Sequence, residues 1–154
     1  MIPAVVAAVV AVAGIIYFVV RFVKTPLTPE CVVYMPKWMF FFGMAMYVIG
    51  AVFLIVLCAE KKWFQAIPGI GFMIFGAVAM ACQLNQRAVR LADGTYIYST
   101  MFGKKKHFSA DDRVGMRYNS DSVTVFLKNG KIHIESLAQI SDDFRKNFLS
   151  DDKN

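Results

Sequence analysis

Acidic and basic side chains are absent from three long stretches of this chain, residues 2–20, 38–59 and 63–84. Routes for protons or ions through a membrane usually need such groups, so a pump or secondary transporter is not expected. Cysteine is also scarce, with three in the chain and no Cys-x-x-Cys pair. That excludes a disulfide framework and the usual structural zinc motifs. Cys58 and Cys82 lie near opposite ends of their apolar runs and read as small packing residues. The two histidines, His107 and His133, are too few for a metal centre, although His133 and Glu135 share a strand face. No nucleophile elbow, Gly-rich phosphate loop or paired-carboxylate motif occurs, so neither an enzyme nor a cofactor is expected.

The apolar runs are long. At about 1.5 Å per residue, the twenty-two residues from Trp63 to Leu84 reach roughly 33 Å as a helix, enough for a hydrocarbon core of about 30 Å. The run 38–59 is equally long, and 2–20 ends at Arg21 and Lys24. The first run continues well past its Ala-Val-Ala triplet and has no basic residue before it, so it reads as a retained span, not a cleaved leader. Trp38 and Trp63 fall at expected interfaces, where indole is favoured. Methionines 39, 44, 46, 73 and 80 read as lipid-facing or core residues, since no His or paired Cys accompanies them. Pro68, Gly69, Gly71 and Gly76 loosen the third run. Gly71 and Gly76 are candidate helix-packing positions.

Residues 1–84 therefore form a three-span membrane region, and residues 85–154 a polar domain joined to it through Asn85 and Gln86 alone. Five bases and two acids fall in the first part and twelve and nine in the second, so each carries half of the net charge of +6. A modest, divided excess suits an anionic membrane surface better than nucleic acid. Arg21, Lys24, Lys37, Arg87 and Arg90 flank the spans on one side, against Lys61 and Lys62 on the other. This bias predicts an N-terminus outside the cell membrane and a cytoplasmic C-terminal domain. Between the first two spans, Pro26, Pro29 and Pro36 prevent a continuous helix. Within that connection Cys31-Val32-Val33-Tyr34 has strand composition, and either lies on the bilayer surface or adds a strand to the soluble domain.

From Arg87 the apolar period changes to two. Runs 87–92 and 95–102 flank Asp93-Gly94, Gly103-Lys104 opens a turn into 105–108, and 113–118, 123–127 and 131–135 follow, the last pair joined at Asn129-Gly130. Six antiparallel strands are predicted. Ser141 is a good N-cap for a last helix, with Asp142 and Asp143 in its first turn and Phe144 and Phe148 on one face. The expected core is Val89, Leu91, Ile97, Phe108, Val114, Val123, Val125, Ile132, Ile134, Phe144 and Phe148.

The order Asp93-Gly94, Phe102-Gly103-Lys104-Lys105, Ser109-Ala-Asp-Asp-Arg-Val114, the Lys128-Asn-Gly-Lys131 hairpin and the terminal Phe-containing helix resembles bacterial pleckstrin-homology-like domains. In particular it is similar to small bacterial membrane proteins of the YcxB-like kind, which append such a domain to two or three spans and largely lack an assigned function. The resemblance covers about residues 85–150 and implies a small antiparallel partial barrel closed by the C-terminal helix. A full barrel has seven strands where six are readable here; residues 31–34 supply the seventh or the sheet stays open.

Lys104, Lys105 and Lys106 at a hairpin turn are the sharpest surface feature, with Arg87 and Arg90 as further candidate contacts. Each base near an anionic surface is worth about 1 kcal/mol. In the resembled domains, lipid-binding bases commonly lie around the first hairpin loops. The expected function is a membrane-tethered binding or scaffold module whose domain contacts a protein segment or anionic lipid head groups. The alternative is a structural subunit of a larger membrane complex with no ligand of its own. Homo-oligomers are compatible with either reading, and no nucleic-acid partner is expected.

Overall fold

The computed structural model describes residues 2–149. The chain divides into two compact units: one takes the chain up to Pro26 together with Lys37–Leu84, and the other takes Leu27–Pro36 together with the chain from Asn85 onward.

The first unit is helical. α1 (Ile2–Lys24), α2 (Trp38–Ala59) and α3 (Trp63–Asn85) are long and apolar enough to cross a membrane. Large apolar side chains such as Phe41, Phe53, Phe64 and Phe75 point outward from α2 and α3, as on helices that are hydrophobic all round. Arg21 and Lys24 fall in the last turn of α1, where cations complement the negative end of the helix dipole. α3 runs through Pro68 without a break.

Small residues set the packing. A methyl group on Gly50 of α2 would fall 2.5 Å from the Gly69 carbonyl oxygen of α3, and one on Gly69 would fall 2.9 Å from the Gly50 carbonyl oxygen. One helical repeat away, Gly43 and Gly76 meet in the same reciprocal way. Two contacts seven residues apart on each helix hold the antiparallel backbones together along one seam. α1 joins through aromatics: Phe22 stacks on Phe40 with ring centres 4.2 Å apart, and the Tyr47 phenol lies directly over Gly14.

The second unit is built of strands. β1 (Cys31–Tyr34), β2 (Arg87–Arg90), β3 (Tyr96–Ser99), β4 (Lys105–Phe108) and the short β8 (Gln139–Ile140) form one sheet in the order β4-β3-β2-β1-β8. β5 (Arg113–Tyr118), β6 (Ser122–Leu127) and β7 (Gly130–Glu135) form a second sheet in sequence order. All pairings are antiparallel. The six strands predicted after Arg87 are present, and residues 31–34 do add a strand, pairing Cys31 with Val89 and Tyr34 with Arg87. The segment Leu27–Pro36 thus belongs with the β unit.

At the β2–β3 turn Gly94 takes φ +83°, a conformation that a Cβ disfavours. The neighbouring Asp93 carboxylate accepts from the Thr95 hydroxyl and amide, which holds its pKa below the ordinary range. Thr95 thereby fixes the hairpin predicted from Asp93-Gly94.

The core differs from expectation in both sheets. Val33, Ala88, Tyr96, Tyr98 and Phe108 point inward from the first sheet, whereas Val89, Leu91 and Ile97, expected inside, are half-buried on the other side. Val114 is also expected inside and is 68% exposed. A bulge between Cys31 and Val33 lets both Val32 and Val33 join the core, and the two tyrosines take places that an aliphatic pattern assigns to their neighbours. Tyr96 stacks on Phe108 at 5.4 Å and meets Phe144 and Phe148 edge-on at 5.3 and 5.8 Å. Val125, Ile132 and Ile134 close the core from the second sheet, as predicted.

The C-terminal segment begins at Ser141, whose hydroxyl accepts the Phe144 amide at 3.3 Å. The turn α4 (Asp142–Phe144) continues as a π-helical stretch, Arg145–Leu149, and stacks Phe144 on Phe148 at 5.0 Å. Arg113 and Tyr118 of β5 donate to the carbonyls of Phe148 and Leu149, satisfying acceptors that a helix end leaves open.

Candidate functional site

The bases singled out in the sequence separate into three groups. Register places Arg87, Ser99 and Lys105 side by side across β2, β3 and β4, so Arg87 and Lys105 stand on one face, two strand spacings or about 10 Å apart. Lys104 belongs to the adjoining β3–β4 turn and is exposed. Lys106 points to the opposite face of β4, where its ammonium donates to the Lys131 carbonyl at 2.8 Å and ties β4 to β7. Arg90 stands at the far end of β2 from Arg87 and pairs with Asp143 at 2.6 Å. A cation cluster of Arg87, Lys104 and Lys105 therefore remains at one end of the first sheet, while Lys106 and Arg90 are engaged in contacts within the domain.

The β3–β4 turn that carries Lys104 is fixed by its own hydrogen bonds. Thr100 donates its amide to the Lys104 carbonyl at 2.9 Å, and its own carbonyl and hydroxyl accept the amides of Gly103 and Lys104 at 2.8 and 3.2 Å. Gly103 takes φ +78° at the apex. The strand expected to run to Phe102 ends at Ser99, leaving Phe102 in the turn with 82% of its surface exposed. The signal for this was present in the sequence: Met101-Phe102 directly precedes a turn glycine and three lysines, where a strand has no room to continue.

Beneath the cation cluster a polar brace joins the two sheets. Tyr98 donates its hydroxyl to the His133 carbonyl of β7 and accepts from Gln86 Nε2 at 3.2 Å. Sequence reasoning passed over both residues, because a tyrosine in an alternating strand gives no sign of which sheet its hydroxyl will reach.

A small open cleft of about 210 Å³ lies between Lys106, His107, Phe108, Asp112, Leu127 and Asn129. Its cation is already committed to Lys131, and the Asp112 carboxylate, held below the ordinary range by the Ser109 amide and hydroxyl, faces any entering anion with a negative charge. The cleft is thus a poor anion site. His133 shares Nδ1 with the Thr124 hydroxyl at 3.0 Å and sets Nε2 3.6 Å from Glu135. Among the described residues, no group of three His, Cys, Asp or Glu side chains is arranged to hold a metal ion. Cys31, Cys58 and Cys82 form no disulfide with one another.

Of the two glycines proposed for helix packing, Gly76 lies at the α2–α3 seam, whereas a Cβ on Gly71 would meet nothing within 4 Å. Gly43, Gly50 and Gly69 share the seam with Gly76, and only their spacing of seven marked them in the sequence. No family model, curated protein or solved structure matches the chain.

Proposed function

We propose that this chain is an integral protein of the cell membrane in which a cytoplasmic pleckstrin-homology-like module, interrupted by two membrane spans, engages anionic lipid head groups through Arg87, Lys104 and Lys105. The observation that carries the reading is the pairing of β1 with β2. These neighbours lie on either side of α2 and α3 in the sequence, and two crossings return the chain to the side it left. The β unit then sits on the side of the bilayer where flanking Lys and Arg predominate, the cytoplasmic side. Strand pairing supplies independent support for an even number of crossings between residues 34 and 87.

The resemblance to pleckstrin-homology-like domains gains support from the arrangement of strands before a C-terminal helix, with β1 supplying the seventh strand and β8 a short edge beyond it. The fold is then an incompletely closed barrel of two sheets. With Lys106 committed to Lys131, Lys104 and Lys105 supply about 2 kcal/mol at an anionic surface, roughly a thirtyfold gain in local affinity that weakens over a Debye length of about 8 Å. Binding of lipid by a tethered module orients it on the membrane and leaves its other faces available as a scaffold.

A second reading, recognition of a protein segment by strand addition, is favoured by β5. It is an edge strand of the second sheet and carries Val114, exposed despite being apolar. Hydrogen exchange on the full-length protein in nanodiscs separates the readings. Slowed exchange across residues 100–106 in anionic but not neutral lipid, lost at high salt and in the Lys104→Glu, Lys105→Glu variant, is expected for head-group contact. Equal exchange in both lipids contradicts it.

A further inference from the structure

We infer that the β3–β4 turn is a membrane-inserting tip, with Phe102 entering the interfacial region of an anionic bilayer while Lys104 and Lys105 contact its head groups. This rests on the membrane-spanning reading of α3 and extends the head-group reading from charge contact to insertion.

Three observations converge. First, Phe102 is the most exposed large apolar side chain among the described residues of the β unit, and the hydrogen bonds of Thr100, Gly103 and Lys104 hold the turn in this form with the ring largely uncovered. An aromatic presented on a rigid turn loses little conformational freedom on insertion. Secondly, Gly103 after it leads into the exposed cations Lys104 and Lys105, and Arg87 stands on the same sheet end as Lys105. An aromatic beside bases matches the division between acyl boundary and anionic head groups at an interface. Thirdly, the Asn85 side-chain amide donates to the Met101 carbonyl at 2.8 Å. Asn85 is the last residue of α3 and follows Leu84, where the uncharged run ends. With α3 crossing the bilayer, Asn85 lies at its surface, and the hydrogen bond keeps the residue before Phe102 at that level.

The occupant is therefore a lipid surface. A protein groove for Phe102 would have to lie at the same depth and present anionic groups beside it, and the tie to Asn85 calls for no such partner. The opposite end of β3 carries the Asp93-Gly94 turn, which has no large apolar residue and an acid in place of the bases, so it provides a reference that stays in water.

The test uses the full-length chain in nanodiscs, with Trp38→Phe and Trp63→Phe leaving Phe102→Trp as the sole indole. Because Phe102 is 82% exposed and lies outside the core cluster, the replacement leaves the core intact. In bilayers containing about one third anionic lipid, the expected result is a blue-shifted emission, weak quenching by acrylamide, and loss of about half the intensity when the acyl chains carry bromine. An Ala92→Trp reference in the same background is expected to remain accessible to acrylamide. Emission of a water-exposed indole at position 102, unaffected by bromolipid, overturns the insertion. If that result accompanies charge-dependent exchange protection of residues 100–106, head-group contact stands and insertion alone fails. If quenching by bromolipid is equal in neutral lipid and survives Lys104→Glu with Lys105→Glu, insertion stands and the head-group reading fails.

Discussion

Gly43 of α2 and Gly76 of α3 exclude each other's side chains: a methyl group on Gly43 would fall 2.7 Å from the Gly76 carbonyl oxygen, and one on Gly76 would strike the Gly43 carbonyl. The obstacle is backbone on both sides, so neither helix relieves it by turning a side chain. Lipid tails are as apolar as the helices, and close packing is what holds such a pair together. Gly76→Leu is therefore expected to separate the α2–α3 seam at a cost of about 1–3 kcal/mol or more, the range for overpacking. Gly71→Leu points away from the seam and is expected to change stability by less than about 0.5 kcal/mol. Thermal unfolding of the two variants in the same detergent checks the contrast.

Tyr98→Phe removes one hydroxyl and leaves two groups without a partner, the His133 carbonyl and the Gln86 amide. Both lie at or near the core, where an unmade hydrogen bond costs about 1–3 kcal/mol. The variant is expected to melt at lower temperature and to show faster amide exchange in β3 and β7 than elsewhere in the β unit. Uniform exchange with an unchanged melting point would show that the brace contributes nothing.

Phe148 is fully buried and touches Tyr96, Phe108 and Phe144, with ring centres 5.0 to 5.8 Å away. Phe148→Ala empties the centre of this cluster and is expected to cost about 3–5 kcal/mol. The C-terminal segment should then lose protection from proteolysis while the apolar helices remain intact in detergent. Arg90→Ala removes only an exposed ion pair with Asp143 and is expected to cost less than about 1 kcal/mol.

Acid should weaken the β unit through Asp112. The Ser109 amide and hydroxyl hold its carboxyl below the ordinary range, with Lys128 adding to the effect. A folded pKa below the unfolded one gives stability that is complete above the ordinary carboxylate range and is lost as the pH falls through the folded value. Asp112→Asn is therefore expected to lower the melting temperature near neutral pH and to converge with the parent chain on acidification. Melting curves from about pH 7 down to about pH 3 test this, and a constant difference across the range would contradict it.

Much of the architecture is legible in the residues. The uncharged runs mark three helices, and Asp93-Gly94 and Asn129-Gly130 mark two hairpins that the structure contains. The face of β2 and β3 is not legible, because a pattern that ranks Val89 and Ile97 above Ala88 and Tyr98 ignores the partners available to a tyrosine hydroxyl. The site is legible as a charge run but not as a geometry. Alternation along β4 turns Lys105 and Lys106 to opposite faces, and the Lys131 carbonyl that receives Lys106 lies twenty-five residues away. β8 is too short to announce itself and depends on β1, itself separated from the rest of its sheet by two long helices.

The central claim is that strands flanking a two-span insertion assemble one module on the cytoplasmic side. Side-specific labelling of single cysteines in whole cells tests it most directly, using Cys31→Ala, Cys58→Ala and Cys82→Ala as background and placing Thr28→Cys, Lys61→Cys or Asn129→Cys singly. An impermeant maleimide is expected to label position 61 in intact cells and to reach positions 28 and 129 only after permeabilisation. Labelling of positions 28 and 129 from opposite sides of the membrane would contradict it.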